Sequence, residues 1–303
     1  MKTKQKILIT GAHGFIGSKL LLLLQKEGHE VDGPSLDVLR FESLETQLQS
    51  KAYDTLIHLA AVSHVPTCNK DPSRAFQTNL AGTALLLEAA RRYQPKVHFI
   101  FASTAQVYAP AEGRELTSNT VFSEDRKISP QNTYAQTKWQ AELLLKDKAE
   151  REKLKVTILR LFNHTHYTQS NEFFLPHVYS SLSQHTSKTE MTLPVGNLEL
   201  YRDLGSLSDL LDAFNKVIQK SDELDLYEVF NVCSGKPRHL GQLAESLARR
   251  LHVQVKFVTD PEKLRSGEPL SLCGSYQKLF DRTGWSPQAN TEEEFLSEFL
   301  KRL

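Results

Sequence analysis

Apolar residues over the first 165 positions follow two alternating rhythms. Short, nearly continuous apolar runs lie at Lys6–Thr10, 55–61, 97–103 and 156–162, as expected of strands buried on both faces of a parallel sheet. Longer stretches between them, 15–27, 73–93 and 134–154, carry apolar residues at helical spacing. Gly28 and His29 close the first helix, and Glu30 and Val31 open a short second strand. This alternation predicts an α/β fold built on a doubly wound parallel sheet. Past Asn163 the rhythm loosens: Pro176, Pro194 and Gly196 separate shorter elements, and 230–233 reads as a strand returning to the sheet. The expected organisation is a sheet domain over 1–163 and, over 164–303, a smaller α+β lid with segments returning to that domain.

Composition narrows the class of function. The 303 residues include 37 Lys+Arg against 36 Asp+Glu, for a formal net charge of +1. That balance lacks the basic footprint of a nucleic-acid binder or a polybasic membrane protein. The longest aliphatic run, 20–24, sits near Lys19 and Lys26 and falls far short of the ~18 apolar residues that span a bilayer. The basic N-terminus leads into a strand and turn instead of a signal-peptide core. Cys68, Cys233 and Cys273 are too few and too scattered for a disulfide framework, and no metal site is expected. A soluble, cytoplasmic protein is the expectation.

Two constellations carry chemistry. Gly11-Ala12-His13-Gly14-Phe15-Ile16-Gly17 follows the first strand and opens the first helix. Glycines there let the backbone turn sharply and approach a pyrophosphate, whose charge meets the helix N-terminus. Dinucleotide binding, with the Rossmann arrangement, is the expectation. An acidic residue at the end of the second strand would hold the adenine ribose, but that position falls at about Ser35, with Asp37 two residues on. A hydroxyl does not repel a 2′-phosphate, so NADP(H) is permitted beside NAD(H). The second constellation is Tyr134-Ala-Gln-Thr-Lys138, a phenol and an ammonium four apart on one helix face. The cation is expected to favour the phenolate and to hold the nicotinamide ribose. Upstream, Phe101-Ala-Ser103-Thr104-Ala105-Gln106-Val-Tyr108 is a strand ending in hydroxyls, and a strand's C-terminal edge is where ligands bind in such sheets.

With these motifs the whole chain resembles the extended short-chain dehydrogenase/reductases (the NAD-dependent epimerase/dehydratase family), and most nearly the GDP-6-deoxy-4-keto-mannose reductases. The resemblance rests on Gly11/Gly14/Gly17, Thr104 and Tyr134/Lys138, and on His58-Leu59-Ala60-Ala61, Arg160-Leu-Phe-Asn163-His164, Val195-Gly-Asn-Leu198, Arg202-Asp203, Asn231-Val-Cys-Ser-Gly235 and Gly284-Trp285. It implies catalysis by Thr104, Tyr134 and Lys138. The cofactor would lie on Gly11, His13, Gly14, Phe15, Ile16, Gly17, Ser35, Asp37, Leu59, Ala60, Ala61 and Lys138. Ser103, Asn163, Arg202 and Arg265 would meet the nucleotide-diphosphate sugar, the arginines through bidentate forks on phosphate. It also implies a homodimer, through the helix after Ser73 and the one bearing Tyr134.

Residues after Thr104 separate the reactions this family performs. Ala105 and Gln106 stand where the resemblance places the acids of 4,6-dehydratases or the cysteine of C3/C5 epimerases. An amide exchanges no protons, so dehydration and that epimerisation are disfavoured. Reduction of a C4 ketone, as in deoxysugar precursor synthesis, needs only Thr104, Tyr134 and a hydride source. A 4-epimerase with tightly held NAD would use the same groups, and a non-catalytic NADP(H) sensor would more often have lost the tyrosine. His166-Tyr167-Thr168 replaces a Gly-Pro-Gly-like turn of the reductases. His166 is therefore a candidate to reshape the sugar pocket, against the plainer reading of a loop histidine.

Overall fold

The computed structural model describes residues 4–111, 120–186, 189–264 and 270–302. Its centre is a six-stranded, all-parallel sheet of β1 (Lys6–Thr10), β2 (Glu30–Asp32), β3 (Thr55–His58), β4 (His98–Thr104), β6 (Lys155–Leu161) and β10 (Tyr227–Val232). The spatial order β2-β1-β3-β4-β6-β10 reverses direction between β1 and β3. A crevice opens there at the strands' C-terminal ends, where Thr10 faces His58 in register. His58 is sealed in place, its ring nitrogens bonded to the Thr10 hydroxyl at 2.6 Å and the Thr83 hydroxyl at 2.9 Å. Burial pushes this imidazole down to about 3, with the nearby Lys138 acting in the same direction.

Two helical layers cover the sheet. On one face α1 (Phe15–Lys26) packs with α8 (Leu207–Gln219) over Ile7, Ile9, Ile57 and Phe230. On the other, α2 (Phe41–Ser50), α5 (Gly82–Tyr93) and α6 (Thr133–Glu152) bury Leu44, Leu86 and Leu145 against Leu8, Phe99 and Ile158. Two short helices, α3 (Val65–Lys70) and α4 (Pro72–Phe76), precede α5. The single helix expected over 73–93 is continuous from Pro72 to Tyr93, with a π turn inside it at Gln77–Ala81. The buried Asn79 sits in that turn. It accepts from Val62 N–H at 2.8 Å, and its amide donates to the Val62 carbonyl at 2.9 Å and the Thr137 hydroxyl at 3.0 Å. The extra residue in the turn thereby ties the loop after β3 to the turn of α6 between Tyr134 and Lys138.

The remaining elements form a second layer over the crevice. β5 (Val121–Phe122), β9 (Tyr201–Ser206), β11 (Pro237–His239) and β13 (Ser271–Gly274) form a sheet in the order β11-β9-β13-β5, with β7 (Asn163–Thr165) also on β9. β8 (Met191–Val195) pairs in parallel with β12 (Val255–Thr259). α7 (Phe174–Ser183), α9 (Leu240–Arg250) and α11 (Glu292–Leu300) close a separate apolar core around Leu175, Leu243, Leu247 and Phe295. α10 (Gln277–Thr283) returns to the central sheet, where Leu279 and Trp285 join the α1/α8 layer.

Candidate active site

A cleft of about 970 Å³ lies between the two layers at the C-terminal edge of β1, β3, β4 and β6. One wall is mostly backbone. Gly11, at φ +74°, takes a turn that leaves no room for a side chain: a Cβ there would stand 2.6 Å from Ala60 N. A Cβ on Gly17 would collide with the Gly11 carbonyl oxygen and come within 2.8 Å of Ala12 Cα. Gly14 donates to the Gly11 carbonyl at 3.0 Å. Helix α1 therefore starts at the cleft with neither a side-chain cap nor an acid in its first turn. Free first-turn amides and a positive helix end suit a pyrophosphate, so a dinucleotide fits this wall. Gly11, Gly14, Phe15, Ile16, Gly17, Leu59 and Ala61 line it.

Four residues expected to touch the cofactor lie off the cleft wall. His13 is exposed at the loop tip, and Ala60 contributes only the backbone that packs on Gly11. Ser35 and Asp37 are exposed, because β2 ends at Asp32 and the chain then turns away through Gly33 and Pro34. The Asp37 carboxylate caps its own turn, accepting from Leu39 N–H at 3.0 Å. The carboxylate at the strand end belongs to Asp32, and Lys51 Nζ and the Tyr53 hydroxyl hold it at 2.8 and 2.7 Å.

The residues expected to react meet in the cleft. Asn132 caps α6 by accepting from Ala135 N–H at 2.9 Å, which places Tyr134 in the first turn and Lys138 one turn on. Thr104 ends β4, and its Oγ1 accepts from Gln106 N–H at 3.2 Å. The Thr104 hydroxyl is also hydrogen-bonded with Tyr134. Lys138, 2% exposed, donates to the Ala102 carbonyl at 2.8 Å and lies 4.5 Å from the Phe101 ring centre. Burial pulls its ammonium down to about 7, opposed by the Glu142 carboxylate. Burial also raises Tyr134 well above the ordinary phenol range, and only the hydrogen bond with Thr104 lowers it. This corrects the expectation that Lys138 favours the phenolate: Tyr134 is a neutral phenol carrying a proton to give.

Ser103 borders the cleft, but its hydroxyl donates to Glu142. Glu142 also holds Arg160 Nη2 at 2.7 Å, with both side chains almost fully buried. Sequence reasoning missed Glu142, because its partners Ser103 and Arg160 come from other strands.

The facing wall is made of side chains from the lid. Asn163, His164 and Arg202 line it. The Arg202 guanidinium is anchored on its own strand by a 2.7 Å bond to the Tyr201 carbonyl. His164 Nδ1 donates to the Phe162 carbonyl at 3.1 Å, and burial pushes this ring down to about 4. It fits only because residue 205 is glycine, where a Cβ would stand 2.7 Å from the ring. Arg265 lies outside the described residues. Its neighbours Lys263 and Leu264 line the cleft, as do His64, Gln169, Glu172 and His177, none of which sequence reasoning had singled out. His64 and Glu172, from opposite walls, approach to 3.7 Å.

His166 does not reach the cleft. Its Nδ1 pairs with the Thr168 hydroxyl at 2.8 Å, its Nε2 donates to the Lys301 carbonyl at 2.7 Å, and its ring packs on Tyr167. It pins the C-terminal segment to the loop after β7, which corrects the idea that it reshapes the sugar pocket.

A model of the NAD dependent epimerase/dehydratase family matches residues 7–233. The GDP-6-deoxy-D-mannose reductase of Pseudomonas aeruginosa is 29% identical, over 99% of this chain and 98% of its own. The GDP-6-deoxy-D-talose 4-dehydrogenase of Aggregatibacter actinomycetemcomitans is 28% identical, over 98% and 97%. The solved structure of RMD from Pseudomonas aeruginosa complexed with NADPH superposes with a TM-score of 0.85 at 27% identity, covering 99% of this chain and 100% of that one.

Proposed function

The chain belongs to the NAD dependent epimerase/dehydratase family, and on that premise we propose that it reduces the C4 ketone of a 4-keto-6-deoxy nucleotide sugar. A GDP-sugar is the favoured substrate and NADPH the favoured reductant, since two relatives act on GDP-6-deoxy sugars and the superposing structure holds NADPH. The observation that carries the reading is the convergence of Thr104, Tyr134 and Lys138 beside Gln106, with no acid or thiol in the turn Ala105–Val107.

A nicotinamide nucleotide on the Gly11–Gly17 wall would supply the hydride. Thr104 donates its free proton to the ketone oxygen and holds it as negative charge develops. Tyr134 gives its phenolic proton to the same oxygen, completing the C4 hydroxyl. Lys138, fixed by the Ala102 carbonyl and Phe101, presents its ammonium to the nicotinamide ribose. Asn163, Arg202 and Arg265 take the sugar diphosphate, and the charges of the two arginines are local in a chain that is nearly neutral overall.

The protein is further read as a cytoplasmic homodimer built on α5 and α6. Leu143 is exposed on α6 and available to such a contact, whereas Leu85, Leu86 and Leu144 pack on this chain's own core. No helix among the described residues is long and apolar enough to cross a membrane.

The test mixes the protein with NADPH or NADH and 4-keto-6-deoxy sugars on GDP, dTDP and CDP. Loss of reduced-nicotinamide absorbance with GDP-4-keto-6-deoxy-mannose, strongest with NADPH, supports the reading. Interconversion of C4 epimers by protein carrying co-purified NAD, with no reductant added, replaces it with 4-epimerisation.

A further inference from the structure

Ketone reduction asks nothing of the side chain two positions beyond Thr104, yet Gln106 stands in the cleft in one defined orientation. Ala135 N–H must donate, so the atom of Asn132 that caps α6 is Oδ1, at 2.9 Å. Asn132 Nδ2 is then turned toward Gln106 and donates to its Oε1 at 2.9 Å. The backbone of Gln106 is fixed as well, because its N–H is bound to Thr104 Oγ1 at 3.2 Å. Its neighbours Ala105 and Val107 are fully buried, while Gln106 itself is half-buried and lines the cleft. The acceptor end of this amide is committed to protein. Its Nε2, with two N–H donors, has no partner among the described residues.

Resting on the ketoreductase reading, we propose that Gln106 determines sugar specificity by donating a hydrogen bond to a sugar oxygen beside the reacting carbon, with Asn132 as its positioning residue. An amide offers such an oxygen a donor without adding an acid or a base next to Thr104 and Tyr134. Proton exchange at the neighbouring carbons therefore stays unavailable while the sugar is oriented. A donor left unpaired once a sugar covers it is costly, so sugars lacking that oxygen are discriminated against. The ordering is relayed: the cap that starts the catalytic helix also decides which end of Gln106 faces the substrate.

The test compares Gln106→Ala, Asn132→Asp and the double variant with wild type. Four quantities are read: kcat and KM for GDP-4-keto-6-deoxy-mannose with NADPH, GDP-mannose affinity by calorimetry, and the melting temperature. For Gln106→Ala, KM and the GDP-mannose Kd rise about tenfold, the worth of one neutral hydrogen bond. Its kcat stays within about threefold, and its melting temperature is that of wild type. Asn132→Asp keeps the helix cap but loses the amide donor, so Gln106 turns its oxygen to the cleft and KM rises by a similar factor. The double variant is no worse than Gln106→Ala. KM and Kd within twofold of wild type for Gln106→Ala, or effects that multiply in the double variant, would overturn the proposal. A wild-type protein that binds GDP-mannose without reducing the ketone overturns the reaction, and the affinities still decide the role of Gln106. One that does neither overturns both.

Discussion

The two walls of the cleft are built on different principles. The wall formed by β1, α1 and the end of β3 works through backbone: glycines at 11 and 17 admit no side chain, and the free N-terminus of α1 provides the charge. The opposite wall works through side chains that come from the turn after β4, from β7, from the segment between β7 and α7, and from β9. A backbone wall recognises what all its ligands share, a pyrophosphate, and tolerates almost no substitution. A side-chain wall can be rewritten residue by residue while the fold stays the same. The reacting groups sit on the seam between the two, on β4 and α6, where neither wall's changes displace them.

Loss of the proton donor should separate the seam from both walls. Tyr134→Phe is expected to lower kcat by roughly 10²- to 10⁴-fold, the usual worth of a positioned acid. Affinities for NADPH and GDP-mannose should stay near wild type, and a matching loss of either affinity would show that the seam is not independent. On the backbone wall, Gly17→Ala forces a methyl onto the Gly11 carbonyl. Such overpacking costs ~1–3 kcal/mol, so the NADPH Kd should rise by roughly ten- to a hundredfold. Calorimetry with GDP-mannose should show sugar-nucleotide binding nearly unchanged, because the proposal places that ligand on the other wall.

A smaller effect concerns Lys138. Its ammonium is pulled from the ordinary 10.5 down to about 7, so between those values the unfolded chain holds a proton that the folded chain does not. Stability linked to this group therefore rises as pH climbs from about 7 to about 10. Melting temperatures measured across that range should show the rise in wild type and a flatter profile in Lys138→Met. Equal profiles would place the ammonium in an ordinary solvated environment. The smallest effect on turnover is expected off both walls. His166→Ala loses the bond to the Lys301 carbonyl and about 1 kcal/mol of stability, with kcat and KM within twofold of wild type. A changed substrate preference would return His166 to the sugar wall.

The same contrast explains how much could be read from the chain alone. Gly11, Gly14 and Gly17 lie within seven consecutive residues, and a backbone wall needs little more, so the crevice at β1 and α1 was legible from spacing. So was the Tyr134–Lys138 pair, since i and i+4 share a helix face. The adenine end was less legible, because placing Ser35 and Asp37 requires knowing that the chain leaves the sheet after Asp32. The π turn at Gln77–Ala81 was hidden because the bonds made by its Asn79, to Val62 and Thr137, are tertiary. Glu142 reads as an ordinary helix-surface acid until β4 and β6 bring Ser103 and Arg160 to it. His166 looked like pocket chemistry because its partner, the Lys301 carbonyl, lies 135 residues away. The side-chain wall draws on segments far apart in sequence, and no local pattern announces their meeting.

Transfer of label from the reductant tests the ketoreductase reading most directly. The protein is given NADPH carrying deuterium at the transferable nicotinamide position, together with GDP-4-keto-6-deoxy-mannose, and the product is examined by NMR. A site with Thr104 and Tyr134, and with Gln106 in place of an acid or thiol, should give one deuterium at C4 of the sugar and none at C3 or C5. The oxidised cofactor should appear in equal amount. Ketone recovered unreduced, with the labelled reductant unconsumed, would contradict it.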